Sequence, residues 1–240
     1  MHGKGQMEIS LLASFADTFN KVFIKDDRWK LYVEGLGNTL IISLIAVLIG
    51  VVIGLLIAVV KNINENTGKF KILNWLGNVY VTVLRGIPVM LQLLIIYGVI
   101  LASWENRNVV AAIAFGLNSG AYVAEIFRSG LNSIDKGQME AGRSLGLSYG
   151  RTMFKVVIPQ ALRNAIPPLG NEFIALIKET AIVGTIGIYD LTKAADKISG
   201  VTFELFMPLM ISAVFYLVVV LGLSGIMKLI EKRLRKSENK

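Results

Sequence analysis

Apolar residues run along this chain in long windows, separated by short polar segments in which lysine and arginine predominate. A bilayer core about 30 Å thick takes about 20 mostly apolar residues per helical span. Windows of that length fall at about Leu36–Val60, Trp75–Ala102, Val109–Phe127, Tyr149–Ile177 and Phe206–Met227. The pattern therefore predicts an all-α integral membrane protein with five transmembrane helices. Ahead of them, Ile9, Leu12, Ala16, Phe19 and Phe23 recur at alternating steps of three and four, with Glu8, Asp17, Asn20 and Lys21 between. This periodicity predicts an amphipathic helix over residues 8–24. It is too polar to span, so it lies in the interface or packs against the bundle. Residues 1–34 are read as an amphipathic amino-terminal segment and residues 35–240 as one transmembrane domain.

The polar segments give a sidedness. Lys61, Lys69 and Lys71 follow the first span, Lys136, Arg143, Arg151 and Lys155 follow the third, and Lys228, Lys232, Arg233, Arg235 and Lys236 follow the fifth. Basic loops are retained in the cytoplasm, so the amino terminus is expected outside and the carboxyl terminus inside. Lys178–Glu204 is then an outer segment, with a short helix near Asp190–Lys197. Within the spans, Gly50 and Gly54 form a close-packing face. Arg85 sits near the middle of the second span, where a charge must face protein or water, and Gly86 and Pro88 loosen the backbone beside it. The third span holds Asn118, Ser119 and Tyr122 near its centre, with Glu125 and Arg128 toward its inner end. The fourth is interrupted by Pro159, Pro167 and Pro168, with Asn171 and Glu172 after the second break.

Composition narrows the chemistry. Of 240 residues, 54% are hydrophobic and 18% charged, a departure from soluble composition in the membrane direction. The formal charge of +8 is concentrated in the loops, so it reports topology and no nucleic-acid partner is expected. There is no cysteine, the single histidine is His2, and neither a phosphate-binding Gly-Lys-Ser/Thr loop nor a His-Glu-x-x-His pair occurs. No metal, no catalytic residue and no cofactor is expected in this chain, which is not an enzyme. Polar and acidic residues follow Met1–Gln6, so no cleavable signal is expected ahead of the first span.

The longest polar interruption is the most specific stretch. Asp135 can cap a helix and Gln138, three residues on, can complete a capping box; Gly146 stops the helix, Ser148 can cap the next one, and Pro159 lies just inside that one. Met139, Gly142 and Leu145 share one face. Glu140-Ala141-Gly142, Gly146, Val156, Ile158 and Pro159 resemble the signature of the membrane subunits of ABC importers, in which Glu-Ala-Ala is followed at fixed spacing by Gly, Ile, Leu and Pro. Gly142 stands for the second Ala, Val156 for Ile and Ile158 for Leu. Arg85-Gly-Ile-Pro88, Asn118–Arg128, Asp135-Lys-Gly-Gln138, Pro159–Arg163, Pro167–Glu172 and Asp190-Leu-Thr192 are similar to the polar amino acid branch of that family.

The resemblance implies a type I ABC importer permease fold in the cytoplasmic membrane, with a coupling helix at about 135–147. It implies two ATP-binding subunits carrying ATP and Mg²⁺, a second permease copy in a homodimer or heterodimer, and an external solute-binding protein. Gln138, Glu140, Ala141, Gly142, Arg143, Gly146 and Pro159 would couple the permease to the ATPase. The substrate would be a polar amino acid, with two candidate glutamates leaning toward a basic one. Arg85 suits its carboxylate, Glu125 or Glu172 an ammonium or basic side chain, and Asn118, Ser119, Tyr122 and Asn171 neutral hydrogen bonds. Glu125 and Arg128, three apart, could instead pair with each other, and Glu172 could serve only Arg85. In an ion-coupled transporter or channel, the same charges would form a relay and the cytoplasmic helix would have no role. A scaffold that recruits a partner without transport is the third reading.

Overall fold

The computed structural model describes residues 13–236, and every regular element among them is helical. Two compact units form: the chain up to Ile41 with Thr180–Val220, and Ile42–Glu179 with the chain from Leu221 onward.

In the first unit, helix α1 (residues 13–19) runs into a π-helical turn at Asn20–Ile24. A helix stands where the amphipathic one is expected, but of the expected apolar face Ala16 and Phe19 are exposed, Phe23 is half-buried, and Ile9 and Leu12 lie outside the described residues. Val22 is buried and, with Phe23, packs on Tyr32, Leu191, Ala194, Ala195 and Ile198. The last four belong to α9 (Leu191–Thr202), longer than the short helix expected there. Asp190 caps α9, accepting from the backbone N–H of Lys193 at 2.9 Å and Thr192 at 3.2 Å. The start of α2 (Trp29–Thr67) is stitched to this cap: Asn38 donates to the Tyr189 carbonyl at 2.8 Å, and Thr39 accepts from the Leu191 N–H at 3.3 Å. A Cβ on Gly35 would lie 2.5 Å from the Asp190 carbonyl oxygen, so only glycine allows the approach.

In the second unit, α2 continues and is followed by α3 (Lys71–Gly86), α4 (Val89–Ile95) with a π turn at Ile96–Ile100, and α5 (Arg107–Asn132). Then come α6 (Lys136–Ser144), α7 (Tyr149–Thr152), a π turn at Met153–Val157 and α8 (Ile158–Glu179). Helix α5 is buried along most of its length because α2 locks into it through glycines on both sides. A Cβ on Gly50 would lie 2.7 Å from Ser119 Oγ, and one on Gly54 2.7 Å from the Ala124 nitrogen. Reciprocally, Cβ atoms on Gly116 and Gly120 would collide with Ile49 and Ile53. The predicted close-packing face of Gly50 and Gly54 therefore works within one chain. Tyr80 on α3 donates to the Leu117 carbonyl of α5.

Helices α2, α5 and α10 (Phe206–Lys236) are long and apolar enough to cross a membrane. The expected second span differs: α3 and the segment Val89–Ile100 reach that test only together, bent by 109°. Pro88 supplies no N–H to the end of α3, and Ile87 before it is extended, at φ −102° and ψ 134°, as a residue preceding proline prefers. The fourth window is helical from Tyr149 to Glu179 but falls outside the helices passing that test, being diluted by Arg163, Asn164, Asn171 and Glu172. The expected break at Pro167 and Pro168 is absent, since α8 runs through both. Arg163 and Asn164, whose carbonyls the two prolines leave without helical donors, are exposed residues.

Gly54→Ala should lower stability by about 1–3 kcal/mol through overpacking against α5. Gly37→Ala, whose added methyl meets nothing within 4 Å, should be neutral or gain up to about 1 kcal/mol of helix propensity. Unfolding of the two purified variants in detergent checks the contrast; equal behaviour would remove the glycine lock as a determinant of packing.

Candidate functional site

An open cavity of about 500 Å³ lies in the second unit, lined by Arg85 from the last turn of α3, by Tyr122, Glu125 and Arg128 from α5, and by Asn164, Pro168 and Glu172 from α8. Four of the seven residues expected at a substrate site thus share one wall system. The Arg85 guanidinium lies over the Tyr122 ring, 5.3 Å from its centroid, an attraction of about 0.5–2 kcal/mol that leaves its five donors open to an anion. Among the described residues Arg85 enters no ion pair. Neither does Glu172, which accepts one hydrogen bond, from Ser119 Oγ at 2.8 Å.

Glu125 has a different environment. Arg128 donates through Nε to its Oε1 at 3.2 Å and through a terminal nitrogen to its Oε2 at 2.6 Å, a bidentate pair. The helix ion pair allowed by their spacing is therefore formed, and the Arg85–Glu172 bridge allowed as an alternative is not. The remaining expected residues sit apart from the opening. Ser119 touches the site through Glu172, whereas Asn118 is buried and accepts from Gln92 Nε2 at 3.3 Å. Asn171 is exposed on α8 and does not line the cavity.

Sequence reasoning missed Gln92, a buried polar residue whose one signal was its place four residues after a proline. It also missed Asn164 and Ser133, joined at 2.8 Å on the cavity wall; both are too common in polar loops to stand out.

The polar interruption forms its helix, α6, as expected. Asp135 accepts from the Gly137 N–H at 2.6 Å; the expected capping box is not completed, since only the backbone N–H of Gln138 bonds to Asp135, closing a turn on its carbonyl at 3.0 Å. At the other end Gly146 takes φ +82°, its N–H reaching the Arg143 carbonyl and the Leu147 N–H the Gly142 carbonyl. These two bonds make a Schellman cap, which requires the left-handed residue to be glycine at little cost. Ser148 caps α7, accepting from the Arg151 N–H at 3.4 Å.

Gly142 is buried because α6 rests on Thr152, and an added Cβ would come within 2.4 Å of the threonine methyl. That contact explains glycine where the importer signature has alanine. Gln138, Glu140, Ala141 and Arg143 are all exposed. The shared apolar face expected for Met139, Gly142 and Leu145 is only partly used: Met139 is half-buried, but Leu145 is 83% exposed at the cap. Pro159 is in the first turn of α8, directly after the π segment Met153–Val157.

Apolar helices enclosing a charged cavity, with a capped polar helix presenting its outer face, define a membrane subunit that moves a polar solute. Residues 50–236 match the family of binding-protein-dependent transport system inner membrane components, and the chain belongs to that family. It is thus a multi-pass transport component of the membrane, with ATP hydrolysis assigned to a separate subunit in such systems. It is 37% identical over 218 residues to the probable glutamine ABC transporter permease protein GlnM of Bacillus subtilis, covering 90% of this chain and 99% of that one. It is 38% identical to the arginine transport system permease protein ArtQ of the same organism, covering 86% and 93%. A crystal structure of an amino acid ABC transporter with histidines matches at TM-score 0.79 and 42% identity, over 85% of this chain and 94% of that chain. The MetNI methionine ABC transporter in inward-facing form shares the fold at TM-score 0.74 and 19% identity, covering 88% and 99%. The ion-coupled alternative finds no support among these matches.

Gly142→Ala should destabilise the seat of α6 by about 1–3 kcal/mol. Thr152→Ser, which deletes the colliding methyl and keeps the hydroxyl bonded to the Ser148 carbonyl, should recover most of the loss in the double variant. Thermal unfolding of the three variants measures the coupling; strict additivity would mean that the two residues do not touch.

Proposed function

We propose that the chain is the permease of an ATP-driven importer for a polar, basic amino acid. One observation carries this reading: Arg85 and Glu172, of opposite charge and without ionic partners among the described residues, line the same cavity. An α-amino acid carries a carboxylate and an ammonium group, neither of which crosses hydrocarbon without partners. Arg85 binds the carboxylate through its planar fork and Glu172 binds the ammonium. Tyr122 orients Arg85 and Ser119 orients Glu172, whereas Asn118, held by Gln92, and Asn171, outside the cavity lining, take no part. A basic side chain competes with Arg128 for Glu125. The arginine relative supports that branch, and the glutamine relatives mark the neutral alternative, in which the Glu125–Arg128 pair stays closed.

The reading extends to assembly. Five spans place the amino terminus outside and α6 in the cytoplasm, with residues 1–34 as an interfacial appendage to one permease domain. Two copies of the chain, two ATP-binding subunits with ATP and Mg²⁺, and an external solute-binding protein make the transporter. Gln138, Glu140, Ala141 and Arg143 on the exposed face of α6, with Gly142, Gly146 and Pro159 holding its seat, couple ATPase closure to alternating access of the cavity.

ATPase activity in liposomes containing the chain, its ATP-binding partner and its solute-binding protein tests the reading against a panel of amino acids. Stimulation by arginine, lysine or histidine is expected. Stimulation by glutamine alone would move the substrate to the neutral class, and failure to co-purify with any ATP-binding subunit would sink the importer reading.

Arg85→Ala removes about 1.5–3 kcal/mol of charged hydrogen bonding, so uptake should fall about 10- to 100-fold while assembly persists. Normal uptake by this variant would take Arg85 out of the site. Glu140→Arg should abolish ATPase binding or uncouple hydrolysis from uptake, as read by co-purification and by the ratio of ATP consumed to substrate moved. Retained binding with full coupling would count against α6.

A further inference from the structure

The sharp bend between α3 and α4 leaves an accounting problem in the backbone. In a continuous helix the Leu84 carbonyl would accept from the N–H of the residue four positions on, but that residue is Pro88, which has none. Ile87 is extended, and the first turn of α4 closes on the Pro88 carbonyl instead, with the N–H groups of Leu91 at 3.0 Å and Gln92 at 3.2 Å both donating to it. The carbonyls of Leu84 and Ile87 are thereby left without backbone donors. Both are met by one side chain: Gln92 Nε2 donates to Leu84 O and to Ile87 O, each at 2.7 Å. Gln92 is 4% exposed, so its amide is committed to these acceptors, and losing it would leave both carbonyls without the donor that now holds them.

The Leu84 carbonyl and the Arg85 nitrogen belong to one peptide plane. Fixing that oxygen fixes the plane from which the Arg85 side chain leaves for the cavity. The same Nε2 has a third acceptor, Asn118 Oδ1 at 3.3 Å, and the next residue on α5, Ser119, holds Glu172. Neighbouring residues of one rigid helix thus touch the bend that carries Arg85 and the carboxylate opposite. Two protons shared among three oxygens leave the Asn118 contact the longest and most readily exchanged of the three.

We propose that Gln92 is a positioning residue for transport, its amide standing in for the donor that Pro88 lacks and setting Arg85 against the cavity. The proposal rests on the reading of Arg85 as the carboxylate partner, and its test separates the two. The chain has no cysteine, so paired spin labels can be placed at Thr82→Cys on α3 and Val99→Cys beyond α4, both exposed positions, without background. In the assembled transporter in nanodiscs, Gln92→Met, which keeps length and removes both donors, should broaden the distance distribution across the bend. It should also raise the substrate concentration for half-maximal ATPase stimulation about tenfold, with unstimulated ATPase unchanged.

Pro88→Ala added to Gln92→Met restores a backbone donor for Leu84 and should narrow the distribution again. Should Gln92→Met fail to assemble, Gln92→Glu carries the same measurement. Arg85→Ala should lower uptake about 10- to 100-fold and leave the distribution narrow. A narrow distribution in the Gln92 variants overturns the proposal, as does a broad one with unaltered half-maximal stimulation. Broadening in the Gln92 variants beside normal uptake by Arg85→Ala would uphold the brace and reject the Arg85 reading on which its transport role depends.

Discussion

Two backbones of the second unit, α2 and α5, approach closely enough to exclude side chains between them, and the rest of the cavity depends on that approach. Gly50 and Gly54 on one helix, and Gly116 and Gly120 on the other, remove the side chains that would separate them. In a bilayer no hydrophobic effect distinguishes helix from lipid, so association draws on dispersion and on close contact. The interlock buries the centre of α5, Asn118 and Ser119 included. Only because α5 is fixed this way can Ser119, Tyr122 and Glu125 be presented along one edge toward α3 and α8. A charged cavity needs such a rail, because a group that could swing toward hydrocarbon would cost far more than it contributed.

Much of this was legible in the residues, and the part that was not has a common cause. The glycine spacing on α2, the Asp135 and Ser148 caps, the Gly146 stop and the Glu125–Arg128 pair are local features, written within a turn or two of helix. Their geometry follows from bonding rules that do not depend on the rest of the chain. The bend at Pro88 was only half legible. Gly86 and Pro88 announced a loosened backbone, yet hydropathy summed over Trp75–Ala102 hid two helices at 109°, since a window average carries no direction. Gln92 was invisible for the same reason, its role existing only once the chain has turned back on itself. Pro167 and Pro168 erred in the opposite sense: prolines signal breakage in water-soluble helices, but here Arg163 and Asn164 are exposed and the helix runs on.

Residue 142 shows how one position can serve fold and surface together. The Schellman cap at Gly146 and the Asp135 cap fix both ends of α6, and contact with Thr152 fixes its roll about its own axis. With roll and ends determined, the residues left outward are Gln138, Glu140, Ala141 and Arg143. They form a rigid polar face whose Leu145 stands out at one end. A larger residue at 142 would lift the helix from its seat and turn that face. The small residues of the importer signature can therefore be understood as conditions for rigidity, and its glutamate as part of what the rigidity presents.

The charges in the cavity divide by the same logic of satisfaction. Glu125 and Arg128, one turn apart on a single helix, neutralise each other before any ligand arrives. Arg85 and Glu172 are on different helices; among the described residues neither enters an ion pair, and the one lies over an aromatic face while the other accepts from a hydroxyl. A pair that closed on itself would need no ligand and would resist one, since inserting a zwitterion would first require breaking a bidentate bridge. Two charges held apart by the frame, each with a weak neutral partner, keep the cavity hydrated and leave their strongest interactions for an incoming solute of complementary charge. The separation is held from below by the α2–α5 interlock and from the side by the amide that braces the bend at Pro88, so the binding capacity of the cavity is a property of backbone placement before it is one of side-chain chemistry.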